Sequence, residues 1–209
     1  MNLEAWVRHS SRPDIVYGLT GAVARDFARL ESRVEYALAI VRNVPGHFGK
    51  WIRQRLVTRF SDSAGTRLVL WPGTRFRFIH NISFGDNVAI SYDCLFQAAA
   101  GITIGSNTLF GPGVKVWTMN HIFKDHERCI NTQGYEGRPV VIGDDCWIAS
   151  NVFVKPGTVL PNGTVVLPNT TIGKMRIPEY SVVGGSPAKV MGPRSKVGAM
   201  MGWGATVRS

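Results

Sequence analysis

Apolar side chains recur along the chain with two different periods. Between Thr20 and Asn43 they fall at Val23, Phe27, Leu30, Val34, Ala37 and Val41. That three-and-four spacing predicts one amphipathic helix, ended by Pro45-Gly46. A second helix is predicted over His47 to Phe60. It carries Phe48, Trp51, Ile52, Leu56 and Phe60 on one side, with Lys50, Arg53, Arg55 and Arg59 and no acid. From Phe78 onward the period becomes six. Apolar residues stand at Phe78, Phe84, Ile90 and Phe96, then after a two-residue slip at Ile104, Phe110 and Val116. After a longer interruption the count resumes at Ile142, Ile148, Val154, Leu160, Val166 and Ile172. Four residues after most of these sits a small or β-branched residue: Val88, Cys94, Ala100, Thr108, Val114, Cys146, Val152, Thr158, Thr164 and Thr170. Gly, Asn, Asp and Pro fill the spaces between, as turns every sixth residue require.

Such a period places one branched side chain on each flat side of a triangular tube and one small residue near each corner. Stacked coils then satisfy one another's backbone groups along the axis. An antiparallel sheet would instead show alternation of period two and hairpin turns. The predicted fold class is therefore all-β, a parallel β-helix wound from about Phe78 to Ile172. The domain reading is an N-terminal helical region at 1–67, the β-helix at 68–190 with a loop at 119–139, and a C-terminal tail or short helix at 191–209. The count leaves the hand of the coil undetermined.

Length and composition add limits. A chain of 209 residues with 44% hydrophobic and 18% charged residues fits one main domain without a membrane span or signal peptide. The three cysteines, Cys94, Cys129 and Cys146, have no metal or redox spacing. A cytoplasmic location is expected. The net charge of +10 divides evenly, +5 in residues 1–67 and +5 in 68–209. This diffuse field suits anionic partners in general, and no pattern typical of nucleic-acid recognition is present. The basic helix at 47–60 has two readings: a cover for the open end of the β-helix, or a peripheral contact with an anionic inner-membrane surface.

The interruption between Val116 and Ile142 yields Met119 to Pro139 to a projecting loop, the kind of segment that carries function on a rigid scaffold. At its base stand Asn120 and His121, followed by Phe123, Asp125 and His126. A histidine is a suitable general base near neutral pH, able to deprotonate a hydroxyl as it attacks an acyl carbonyl. Asp125 is a candidate to orient His121 or to meet substrate. Cys129 is an alternative nucleophile, although nothing in the sequence marks its thiol as activated.

The rungs, the loop beginning Trp117-Thr118-Met119-Asn120-His121, the return Pro139-Val140-Val141-Ile142-Gly143-Asp144-Asp145-Cys146-Trp147-Ile148, and the close from Ile177 through Ser186-Pro187-Ala188-Lys189-Val190 together resemble the hexapeptide-repeat acyltransferases. The approach Arg42-Asn43-Val44-Pro45-Gly46 is most similar to members that O-acetylate surface polysaccharides such as O-antigen and capsule. The resemblance implies a left-handed β-helix, a homotrimer, active sites between subunits and acetyl-CoA as donor without a metal. It implies that His121 is catalytic and that Trp147 lines the same cleft. Ser150 would lie near the pantetheine arm, and Pro187, Ala188 and Lys189 near the nucleotide end. Leu167-Pro168-Asn169-Thr170-Thr171 and Gly173-Lys174-Met175-Arg176 depart from the family's usual runs, and Lys174 is a candidate phosphate partner there. The function expected is transfer of an acetyl group to a sugar hydroxyl. The alternatives are acetylation of an antibiotic or amino sugar, a catalytically idle scaffold, and a zinc site of carbonic-anhydrase type at His80, His121 and His126.

Overall fold

The computed structural model describes residues 19–200. The readings for residues 1–18 and 201–209 fall outside these. Four helices and nineteen short strands make up the described chain. Helices α1 (Leu19–Ala28), α2 (Leu30–Val41) and α3 (Gly46–Phe60) come first, then the strands, then α4 (Arg194–Met200).

Three parallel sheets form the sides of a prism. Side A stacks β1 (Ser63–Ala64), β4 (Ile82–Phe84), β7 (Ile102–Ile104), β12 (Val140–Ile142) and β15 (Val159–Leu160). Side B stacks β2 (Val69–Leu70), β5 (Ala89–Ile90), β8 (Leu109–Phe110), β13 (Trp147–Ile148), β16 (Val165–Val166) and β18 (Ser181–Gly184). Side C stacks β3 (Arg75–Arg77), β6 (Leu95–Gln97), β9 (Lys115–Trp117), β14 (Phe153–Val154) and β17 (Thr171–Ile172). The chain visits A, B and C in turn, as the six-residue period predicts, and the inward residues named above are all buried except Ala100.

The departures from the period lie at one edge. Leu70, Ile90, Phe110, Ile148 and Val166 are stacked partners, so successive coils advance by 20, 20, 38 and 18 residues. The extra residues all enter where side C passes to side A. Phe76, and not Phe78, therefore holds the side position of the first coil. Phe78 stands at the widened corner with φ +58°, although it is still buried. At the next widened corner Ala98 takes the inward place expected of Ala100, which is half-buried. The solenoid also starts earlier than position 78, and five residues before 68, because β1 already pairs with β4.

The other two edges are tight. Asn87, Asn107 and Asp145 adopt the left-handed backbone conformation between sides A and B, and Asp93, Asn151 and Asn169 do so between B and C. Asn and Asp tolerate that region better than branched residues, so the Asn/Asp/Gly pattern marks stacked corners. Inward threonines satisfy corner carbonyls: Thr164 Oγ1 donates to Pro161 O at 2.6 Å and Thr158 Oγ1 to Lys155 O at 2.7 Å.

The single helix expected from Thr20 to Asn43 is broken at Arg29, whose backbone is extended. The break brings Phe27 and Tyr36 into a stack 5.5 Å apart, and Tyr36 Oη donates to Asp26. Helices α2 and α3 close the first coil. The inward face of α3 is Gly49, Arg53 and Val57, whereas Phe48 and Trp51, read as part of one apolar face, point to solvent. Arg53 is not a solvated charge. Only 3% exposed, it donates to Val41 O, Arg42 O and Val44 O at the end of α2 and to Leu70 O of the edge strand β2. Among the described residues no helix is long and apolar enough to cross a membrane.

At the far end, β19 (Lys189–Pro193) runs antiparallel to β18, and Val197 of α4 packs on Val165 and Val182 of side B. Arg194 anchors this segment to Asp145 at 2.7 Å.

Candidate active site

The long loop springs from the widened edge between sides C and A, after β9 and before β12. It opens with an antiparallel pair, β10 (Met119–His121) against β11 (Tyr135–Gly137), in which His121 faces Tyr135. Their ring centroids are 4.2 Å apart. His121 and Asn120 are exposed, while Tyr135 is half-buried and packs on the core. The imidazole is thus presented to solvent from a rigid hairpin with one aromatic wall.

Buried polar groups fix the base of the hairpin. Thr118 Oγ1 donates to Gln97 O at 2.9 Å and accepts from the Ala100 N–H at 3.0 Å, and Thr118 N–H donates to Gln97 Oε1. One coil below, Asn81 Nδ2 reaches Ala98 O at 3.1 Å. The widened corners are therefore stitched to one another, so that the loop rises from a fixed platform. Gln97 and Tyr135 were not singled out in the sequence. Gln97 lies at the end of a rung, where nothing in the period distinguishes it, and Tyr135 joins His121 only through the hairpin pairing.

Asp125 does not orient His121. Its Oδ1 accepts from the Glu127 N–H at 3.0 Å, and its backbone is held at both N–H and C=O by the Gln133 side chain. The carboxylate is spent on a turn within the loop. Cys129 is exposed, whereas Cys94 and Cys146 are core groups whose thiols burial pushes up to about 11. His80 lies at the first widened corner, two coils from the loop base, or about 10 Å along the axis. Among the described residues no three His, Cys, Asp or Glu side chains converge as a metal would require, so the three-histidine site has no geometric support.

The residues expected to meet the acyl donor, Lys174 apart, lie elsewhere on the prism. Trp147 projects from the middle of side B and is 38% exposed. Ser150 occupies the corner between B and C, one coil from Asn169, whose N–H donates to Ser150 O. The turn Gly185 to Ala188 folds onto the next step of that corner, with Gly185 N–H on Thr170 Oγ1 and Ala188 N–H on Thr171 O, both at 3.2 Å. Pro187 and Lys189 are exposed around it, whereas Lys174, also exposed, follows β17 at the edge between sides C and A, one coil beyond Lys155. Ser150, Ala188 and their neighbours thus form one column. The edge that carries His121 is opposite side B, since a triangle's vertex between two sides faces the third. Within one protomer His121 and Trp147 point away from each other.

This prism, with one histidine-bearing loop and a tail folded over the last coils, is the architecture of the left-handed β-helix acyltransferases. No family model matches the chain, but individual proteins do. An Escherichia coli protein, WbbJ, named as a lipopolysaccharide biosynthesis O-acetyl transferase, is 33% identical over 182 residues, 84% of this chain and 89% of that protein. A fission-yeast protein named as an acetyltransferase (Schizosaccharomyces pombe) is 35% identical over 119 residues, so this chain spans 56% of that relative's length. A hexapeptide-repeat-containing acetyltransferase from Vibrio cholerae superposes with a TM-score of 0.70 at 26% identity, covering 80% of this chain and 91% of its own. The same protein complexed with acetyl-coenzyme A superposes with 0.69 at 23% identity over 91% and 97%. The chain belongs to the hexapeptide-repeat acetyltransferase family.

Proposed function

We propose that this protein transfers an acetyl group from acetyl-CoA to a sugar hydroxyl during surface polysaccharide synthesis, acting as a cytoplasmic homotrimer. The observation that carries the reading is the opposition of His121 and Trp147 on one prism. A site using both needs two copies, the loop of one protomer reaching side B of its neighbour. Exposed apolar residues on the outer faces support that contact, with Leu109 and Trp147 on side B and Val141 and Val159 on side A. Burying such residues between copies gains hydrophobic free energy that a lone protomer forgoes.

In this arrangement His121 takes the proton of the acceptor hydroxyl as its oxygen attacks the thioester carbonyl, and returns that proton to the departing sulfur. Tyr135 limits the rotation of the imidazole, and Asn120 lies beside it to meet the acceptor. Backbone N–H groups at the rung corners supply donors to the oxyanion. Trp147 lines the thioester end of the donor. Ser150, Pro187, Ala188 and Lys189 follow its length, with Lys174 free to meet its phosphates. The naming of the E. coli relative for lipopolysaccharide biosynthesis supports a surface-glycan acceptor over an antibiotic. Residues 47–60 would bring the enzyme to the anionic membrane surface.

The test is acetyl-CoA consumption, followed as free thiol, with and without surface oligosaccharides as acceptors, comparing wild type with His121→Ala and with Trp147→Ala. Acceptor-dependent thiol release that disappears in the first variant is expected. Undiminished turnover in His121→Ala, or a monomer with full activity, refutes the reading.

A further inference from the structure

We infer that the outward face of α3 is a docking surface for an anionic lipid bilayer, and that it sets the N-terminal end of the prism against the membrane so that the enzyme acts on a lipid-linked glycan. The inference rests on the trimeric transferase reading and adds its orientation and the physical form of its acceptor.

Three observations converge on α3. Its solvent side carries Phe48 and Trp51, 62% and 52% exposed and stacked at 6.0 Å. An exposed aromatic pair on a helix that already has a buried face is not needed for the core, and Trp and Phe are favoured at the bilayer interface. The pair is set among cations: Arg55 lies 5.8 Å from the Trp51 ring, Arg59 is exposed, and the helix holds no Asp or Glu. Aromatic and basic residues on one pole fit a surface with both hydrocarbon and anionic headgroups better than they fit a neutral protein face. The pole is also rigid. Arg53 ties the opposite side of the helix to four carbonyls, and Lys50 Nζ sits 3.6 Å from the centre of the Trp71 ring on the first coil.

Placement supplies the consequence. Helix α3 covers the first coil, and strands β1, β2 and β3 are the terminal strands of their sheets. In a trimer with its threefold axis along the prisms, symmetry puts all three copies of α3 at the same end. Three weak contacts then act together on one bilayer. The hairpin bearing His121 rises two coils above that end, about 10 Å from it, within reach of a sugar held at the headgroup level.

The experiment is co-sedimentation of the full-length protein with vesicles of phosphatidylcholine alone or mixed with about one third phosphatidylglycerol, at low and high salt. Wild type should bind the anionic vesicles, bind neutral ones poorly, and be released as salt screens the charges. Phe48→Ala/Trp51→Ala, and separately Arg55→Glu/Arg59→Glu, should each lower vesicle partitioning about tenfold with thiol release in solution unchanged. Equal binding of wild type to both vesicle types overturns the inference, as does wild-type partitioning by both variants. A change of oligomeric state in the aromatic variant also overturns it, since the pair would then be a subunit contact. Loss of vesicle binding with transferase activity intact separates this surface from the catalytic reading.

Discussion

Replacing Arg53 by alanine tests how the helical cap is held. The guanidinium donates to Val44 O at 2.7 Å, Val41 O at 3.1 Å, Arg42 O at 3.3 Å and, through Nε, Leu70 O at 3.2 Å. Two of these acceptors have other donors, since Val44 N–H reaches Val41 O and Gly73 N–H reaches Arg42 O. Val44 O and Leu70 O depend on the guanidinium. Leaving a buried acceptor without its donor costs about 1–3 kcal/mol, so the two together cost about 2–6 kcal/mol. Against this, the wild type already bears the desolvation of the guanidinium, which lowers its pKa, and Nη2 has no partner among the described residues. Removing the charge recovers part of that cost. The expected net loss is about 3 kcal/mol. Urea unfolding followed by circular dichroism measures it, and Arg53→Lys should fall between, because one ammonium cannot span both the helix end and the strand. A loss below about 0.5 kcal/mol in Arg53→Ala would mean that packing alone holds α3 and that the carbonyl bonds are incidental.

Removing the imidazole in His121→Ala should lower turnover by about 10²–10⁴ with the melting temperature nearly unchanged, since the side chain is exposed; equal losses of both would point to a structural histidine. Tyr135→Phe should keep the ring wall and near-normal turnover, while Tyr135→Ala should lose up to about tenfold, the worth of one ring contact of about 0.5–1.5 kcal/mol, with the KM for acetyl-CoA unmoved. At neutral pH iodoacetamide should modify Cys129 in the native protein and all three thiols after unfolding, as counted by mass spectrometry. The buried thiols also imply a pH dependence. Their folded pKa lies near 11 against an ordinary 9.0, so the unfolded chain releases these protons first, and stability that is complete below pH 9 should decline between 9 and 11. A flat stability curve over that interval in urea titrations would contradict the burial of Cys94 and Cys146.

The six-residue period determined the prism, its three sides and the identity of nearly every inward residue, because a tube this narrow admits one branched side chain per side and repeats that demand at each coil. The long interruption located the histidine loop for the same reason, since a loop is visible against a regular background. The slip between Phe96 and Ile104 is visible too, whereas the matching one between Phe76 and Phe84 is not. A two-residue insertion at a corner shifts the phase without removing an apolar residue, so Phe78 and Ala100 were assigned places that Phe76 and Ala98 occupy. Helix α3 shows a second limit. Its apolar and basic residues are mixed around the axis, and only packing against β2 decided that Arg53 faces inward and Phe48 and Trp51 outward. Asp125 and Tyr135 exchanged importance through contacts fourteen residues or fewer from His121 but set by hairpin register and turn hydrogen bonds. The opposition of His121 and Trp147 is the part that tertiary structure alone supplied, because the side of a prism on which a residue lies depends on summing every corner before it, whereas each rung reports only its own inside and outside.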